Sequence, residues 1–138
     1  DGTLIDQSGF TVLGGDAARA LRMLEGLQAE GEAAVLVHWS LADDIRALAR
    51  ARAAIDDGKP LPLALKEARV WGLKEKLFER VLPLLAGHQV AHLLEAASIC
   101  DGIVKGLKVP DWPTNGWQAL QRLALQLGRV CAGLPRRG

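Results

Sequence analysis

The chain has 138 residues, a length that fits one domain with a single hydrophobic core. Apolar residues make up 49% and charged residues 24%, which is typical of a globular protein and too apolar for a disordered one. The formal net charge of +1 excludes an overall nucleic-acid-binding signature. No apolar run approaches the length of about 18 residues that a membrane span requires, and the chain lacks the basic start of a signal peptide. We therefore expect a cytoplasmic protein without a membrane segment.

The most frequent residue types are strong helix formers, among them Ala, Leu, Arg, Glu and Gln. Aromatic residues that favour strands are scarce, because the chain has no Tyr and only two Phe. No internal repeat of solenoid length is visible. The sequence therefore predicts an all-α fold, a compact bundle of about five to six helices.

The N-terminal segment, residues 1–9, shows weak periodicity, so we interpret it as a leader or disordered and place the helical domain at residues 10–138. Asp16 is a suitable N-cap, because its carboxylate accepts hydrogen bonds from free backbone amides. The helix that it opens has one apolar face and is expected to end at Gly31.

The second predicted helix, residues 32–57, carries an apolar stripe along its whole length. In its first two turns Val35, Leu36 and Trp39 make the opposite side apolar as well, whereas that side later carries charged residues. A helix that is apolar all round must be covered all round. We therefore expect the N-terminal half of this helix to run through the middle of the domain.

The remaining pattern predicts four shorter helices. The third covers residues 62–68, and the fourth covers residues 73–85, where Pro83 is expected to loosen the last turn. The fifth covers residues 88–105, and its inward stripe is expected to comprise Val90, Leu93, Leu94, Ala97, Cys100 and Val104. Asn115 is expected to cap the sixth as part of a capping box. The apolar stripe of the sixth helix comprises Trp117, Leu120, Leu123, Ala124, Leu127 and Cys131.

Four Trp residues stand out in a chain that is otherwise poor in aromatics. Trp71, in the Val70-Trp71-Gly72 joint between two helices, and Trp117 are interpreted as core residues, because large aromatics stabilise cores. Trp112 lies in a loop between two prolines, where an interface role is the alternative to packing in the core.

The His and Cys side chains, which are types that act in catalysis or metal binding, do not combine into a site in this sequence. His88 and His92 have the spacing of helical metal ligands but lie opposite the apolar stripe, so we expect them in solvent. His38 is interpreted as a hydrogen-bonded histidine at the edge of the core. Cys100 and Cys131 fall on apolar stripes and are expected to be buried, reduced thiols. The sequence predicts no catalytic residue, no metal site and no cofactor.

The C-terminal part of the chain is locally basic, with six cations against Asp111 alone: Lys105, Lys108, Arg122, Arg129, Arg136 and Arg137. Such residues neutralise phosphates in nucleic-acid-binding proteins. The alternative is a solvated face, because Arg122 and Arg129 lie opposite the apolar stripe of the sixth helix.

The order of several short segments resembles the C-terminal domain of the delta subunit of the bacterial DNA polymerase III clamp loader. These segments are Gly15-Asp16-Ala17-Ala18-Arg19-Ala20-Leu21, Leu24-Glu25-Gly26-Leu27, Glu30-Gly31-Glu32, Val35-Leu36 with Trp39, Leu41 and Ile45-Arg46, and Arg69-Val70-Trp71-Gly72 with Leu77. The resemblance spans roughly Leu13 to Leu134. The family has a fuller helix before the Gly-Asp pair, of which the sequence pattern shows only Phe10 to Leu13.

The resemblance implies a helical collar domain that packs with the corresponding domains of the delta-prime and gamma/tau subunits in a five-membered ring. It implies that ATP hydrolysis, clamp binding and DNA polymerisation lie in other domains and subunits. Helices four to six are then expected to supply the subunit contact, through residues that stray from the inward stripes and through the Trp112 loop: Leu84, Leu85, Ile99, Ile103 and Trp112. The alternative function is a helical nucleic-acid-binding module that uses the basic C-terminal segment.

Overall fold

A computed structural model of the chain describes residues 2–133, except for the side chains of residues 2–4 and 6. Over this range the fold consists of seven α-helices and one 3-10 turn, with no strand, which confirms the predicted all-α bundle with one helix more than expected. The α-helices are α1 (Gly2–Leu13), α2 (Ala17–Ala29), α3 (Ala34–Asp56), α4 (Leu61–Glu67), α5 (Leu73–Val81), α6 (Gly87–Val104) and α7 (Gly116–Cys131), and the 3-10 turn is Leu82–Leu84.

The first helix corrects the interpretation of residues 1–9 as a leader. From Gly2 onward this segment belongs to α1, which packs against α2, α3, α5 and α7. Ile5 is 8% exposed, and the buried Ser8 donates from Oγ to the carbonyl oxygen of Ile5 at 2.7 Å. Ile5 therefore contributes to the core, while Asp1 lies outside the described residues. The helix before Gly14 and Gly15 is also longer than its sequence pattern predicted.

The core lies between α3, α6 and α7, with α1 and α2 closing one side. Leu120, Leu123 and Leu127 on α7 are fully buried, as their spacing predicted. The expected caps are also present, because Asp16 accepts a hydrogen bond from the backbone N–H of Arg19 and Asn115 accepts from the first turn of α7. Pro83 lies in the 3-10 turn that follows α5, so the loosened last turn is confirmed.

The N-terminal end of α3 differs from the expectation that it runs through the middle of the domain. Val35, Leu36 and Trp39 are 42%, 52% and 65% exposed. Val37 and His38, on the opposite side of the same turns, are buried, and His38 is hydrogen-bonded to a backbone carbonyl of α6. The prediction was wrong because the neighbouring helices cover one side of the first turns of α3 and leave the other side apolar and open.

Candidate docking surface

The joint between α4 and α5 holds its backbone in a defined conformation. Arg69 has a positive φ of 61°, and its N–H donates to the carbonyl oxygen of Lys66 at 3.0 Å. The N–H of Val70 donates to the carbonyl oxygen of Leu65 at 2.9 Å, which completes a Schellman motif at the end of α4. Gly72 follows with φ 71° and ψ −145°, a region that essentially only glycine adopts. The joint is therefore fixed on both sides of Trp71.

Trp71 is 66% exposed, so the expectation that it lies in the core was wrong. Val70 is the core residue instead, because it is only 5% exposed. In a Schellman motif the residue at this position usually makes a hydrophobic contact with the last turn of the helix. Trp117, the second Trp assigned to the core, is partly buried and packs against the core cluster. The fixed joint thus buries its valine and presents its tryptophan to solvent.

Trp71 lines two clefts. The larger cleft, of about 750 Å³, lies between α3, α4 and α5, and the smaller cleft, of about 300 Å³, lies between α4 and α5. Val70 also lines both clefts, so the joint separates them. An exposed aromatic between two concave surfaces is typical of the residues that dominate protein–protein binding energy.

Charged residues of both signs line the larger cleft, and several of them already have partners. Lys74 Nζ lies 2.7 Å from Oδ1 of Asp44, a residue that is only 4% exposed. Arg50 Nη2 donates to the carbonyl oxygen of Ala68 at 3.3 Å. Glu67 pairs with Lys59 at 2.7 Å, and the hydrogen bond to this carboxylate raises the pKa of Lys59. The larger cleft is therefore close to electrically balanced.

The smaller cleft has an apolar floor and an acidic wall. Leu65 and Val70, both buried, form the floor, and Glu75 and Glu79 stand one turn apart on α5. Within residues 2–133 neither carboxylate forms an ion pair. The only cation lining this cleft is Lys66 on the opposite wall. An apolar surface beside two carboxylates favours a ligand group that is itself both apolar and cationic.

Trp112 shows how this chain pairs a tryptophan with a cation internally. The guanidinium carbon of Arg122 lies 3.9 Å from the centroid of the Trp112 ring, and Nη1 donates to the carbonyl oxygen of Asp111 at 2.7 Å. Trp112 itself is partly buried against the core. Arg122 is thus engaged within the domain, and Lys105 pairs with Asp101 at 3.0 Å. Of the basic residues noted in the sequence, Arg136 and Arg137 lie outside the described residues.

The five predicted interface residues are distributed unevenly. Leu85 and Ile103 are only 3% and 2% exposed and belong to the core, so they are not available for contact with another subunit. Leu84 is 41% exposed, and Ile99 and Trp112 are partly buried. The 3-10 turn at Leu82–Leu84 changes the rotation per residue, which turns Leu85 inward.

The buried face of α6 is also rotated relative to the predicted one. Its buried stripe comprises Leu93, Ala96, Ala97, Cys100 and Ile103. Leu94, which was assigned to the inward stripe, is 37% exposed. The sequence pattern allowed either stripe, because α6 is apolar over much of its circumference.

The titratable residues singled out in the sequence lie apart from these clefts. His38 is 5% exposed and makes a hydrogen bond of 2.8 Å from Nε2 to the carbonyl oxygen of Ala97, as expected of a core-edge histidine. His88 is exposed and His92 is partly buried. Cys100 and Cys131 are buried and free, which confirms that prediction, and burial raises the pKa of each thiol to about 12.

The described residues contain neither a metal-binding cluster nor a membrane-spanning helix. No group of three or more His, Cys, Asp or Glu side chains in residues 2–133 has the geometry to hold a metal ion. None of the described helices combines the length and the hydropathy that crossing a bilayer demands.

Comparison of the chain with protein-family models, with curated proteins and with solved structures finds no match.

Proposed function

We propose that this chain is the assembly domain of a clamp-loader delta subunit of bacterial DNA polymerase III. In this role it packs against the delta-prime and gamma/tau subunits and holds the ring together while other domains load the sliding clamp. The domain acts through its surface and carries out no catalysis. The proposal rests on the ordered segments that resemble the delta family and on the surface that the structure places around one of those segments.

The observation that carries the proposal is the exposed Trp71 on a fixed joint. A tryptophan that is 66% exposed leaves a large apolar area in water, which a monomeric protein has little reason to keep. A rigid backbone around it lowers the entropy cost of binding, because the side chain is already presented. The Arg-Val-Trp-Gly joint is also part of the resemblance to the delta family. Both this resemblance and the exposure of Trp71 therefore support an interface at the joint.

Other exposed apolar residues extend the surface that a partner can cover. Trp39 lies one turn before Asp43 on α3, and Asp43 lines the larger cleft together with Trp71. Trp39 is therefore placed on the part of α3 that leads to this cleft. Leu36 and Leu73 lie close in sequence to these tryptophans and are also more than half exposed. Stable subunit contacts in obligate assemblies are large and apolar, and these exposed side chains contribute apolar area to such a contact.

The proposal is tested by mixing the purified chain with the collar domains of delta-prime and gamma/tau at micromolar concentration. Size-exclusion chromatography with light scattering is expected to show a complex that contains this chain. Absence of any co-migration with either partner contradicts the proposed function. A parallel titration with single-stranded DNA at low salt tests the alternative, because phosphate contacts give an affinity that falls steeply with salt.

A further inference from the structure

The smaller cleft beside Trp71 has features that the rest of the surface does not explain. Glu75 and Glu79 line one wall without an ion pair in the described part of the chain. Glu75 complements the positive N-terminal end of α5, but Glu79 lies one turn further along the helix and has no such role. Two like charges one turn apart repel each other, so this arrangement costs free energy in the isolated domain.

A cation with a flat apolar face fits the smaller cleft best. Trp71 lines the cleft and is largely exposed, and Leu65 and Val70 offer an apolar floor for a hydrocarbon stem. A guanidinium group stacks on an aromatic ring and at the same time donates several hydrogen bonds to carboxylates. An ammonium group is more strongly hydrated and does not stack in this way. The chain itself shows this stacking mode at Arg122 and Trp112.

We propose that the smaller cleft receives an arginine side chain from a partner subunit, with its guanidinium stacked on Trp71 and paired with Glu75 and Glu79. The arginine complements the two carboxylates in charge and the Trp71 ring in shape. The proposal rests on the assembly function proposed above and identifies the chemistry of one contact within it. The partner is a protein whose contact surface projects an arginine.

The first test compares the binding of variants to the delta-prime and gamma/tau collar domains by isothermal titration calorimetry. The double variant E75Q/E79Q removes both charges but keeps the side-chain size, and it is expected to weaken binding about ten-fold or more. The matched control E25Q/E95Q removes two exposed carboxylates on α2 and α6 and is expected to leave binding unchanged. The thermal midpoint of each variant, measured alone, shows whether the domain stays folded.

The outcomes separate this inference from the proposed function. If the unaltered chain binds neither partner, both proposals fail. If it binds and E75Q/E79Q binds equally well, or if both double variants weaken binding equally, the assembly function stands and the arginine contact is wrong.

A competition experiment tests the identity of the cation. N-acetyl-arginine amide and N-acetyl-lysine amide carry the same charge and contribute equally to ionic strength, so only the shape of the cation differs. The arginine compound is expected to displace the partner from the unaltered chain at lower concentration than the lysine compound, and this difference is expected to vanish in Trp71→Ala. Equal displacement of the unaltered complex by the two compounds overturns the arginine assignment.

Discussion

Arg80 on α5 donates a hydrogen bond of 2.8 Å from Nη2 to the carbonyl oxygen of Leu13, the last residue of α1. The carbonyl groups in the last turn of a helix have no partner within that helix. The side chain of Leu13 is fully buried, so little water reaches this end of α1. Arg80 therefore caps a helix that lies 67 residues away in sequence and joins the N-terminal helix to the α4–α5 region.

Replacing this arginine is expected to destabilise the domain. Arg80→Ala removes a charge-assisted hydrogen bond to a buried helix end and is expected to lower the free energy of unfolding by about 1–2 kcal/mol. Urea denaturation followed by circular dichroism measures the change. Arg46→Ala is the control, because Arg46 is exposed and makes only a 4.0 Å ion pair with Asp43. Equal losses in the two variants contradict the capping role.

The backbone at Arg69 gives a second prediction. A non-glycine residue at φ 61° carries a steric cost that glycine avoids, so Arg69→Gly is expected to stabilise the chain by up to about 1 kcal/mol. Arg22→Gly is the matched control, because Arg22 is exposed in the interior of α2, where glycine is expected to destabilise by about 1 kcal/mol. Thermal unfolding of both variants checks that the two substitutions change the stability in opposite directions. A loss of stability in Arg69→Gly contradicts the inferred backbone strain at Arg69.

Local chemistry made the helix ends predictable from the sequence. Asp16 and Asn115 were expected to cap helices because their side chains reach free amides, and both do. Gly31 was expected to end a helix, and α2 stops two residues before it. These features depend only on residues that are close in sequence.

The burial of individual side chains was less predictable, because it depends on distant neighbours. Trp39 was expected inside, but the helices that pack on the first turns of α3 cover only the side opposite to it. Trp71 and Val70 are adjacent and both apolar, and only the positive φ of Arg69 decides which of them faces the core. No sequence signal identified an arginine at a position that usually holds glycine.

The leader interpretation of residues 1–9 was wrong for a related reason. Glycine is unfavourable inside a helix, so Gly2 and Gly9 weaken the helical signal. In the structure Gly9 packs closely against another helix, because a Cβ added there would lie 3.1 Å from Oδ2 of Asp44. The glycine permits an approach between α1 and α3 that compensates for its low helix propensity.

The two cysteines predict how stability changes at high pH. Burial raises the pKa of Cys100 and Cys131 from 9.0 to about 12, chiefly by desolvation, so the folded state keeps two protons that the unfolded state releases. The free energy of unfolding is therefore expected to fall as pH rises from about 9 to about 12. Urea titrations across this range measure the slope.

The control for this pH dependence is the double variant C100A/C131A. It lacks both thiols but keeps every other titrating group, so its stability is expected to fall less over the same pH range. An unchanged slope in the double variant contradicts the assignment of the pH dependence to these cysteines.

The thiols of the unaltered chain are also expected to react with Ellman's reagent only after denaturation, because both side chains are at most 2% exposed.

Trp71 and Val70 allow stability and binding to be separated at adjacent positions. Trp71→Ala is expected to change the free energy of unfolding by less than about 0.5 kcal/mol, because most of the ring is already in water. Val70→Ala removes buried methyl groups from the core and is expected to cost about 1–2 kcal/mol. Chemical denaturation measures both values on the isolated chain.

Binding to the partner collar domains is expected to respond in the opposite order. Trp71→Ala removes the exposed ring between the two clefts and is expected to weaken binding about ten-fold or more. Val70→Ala leaves this ring in place and is expected to have the smaller effect on affinity as long as the domain remains folded. Calorimetric titration of each folded variant with the same partner checks this. If Trp71→Ala instead destabilises the domain and leaves affinity unchanged, Trp71 is a structural residue and the docking surface lies elsewhere.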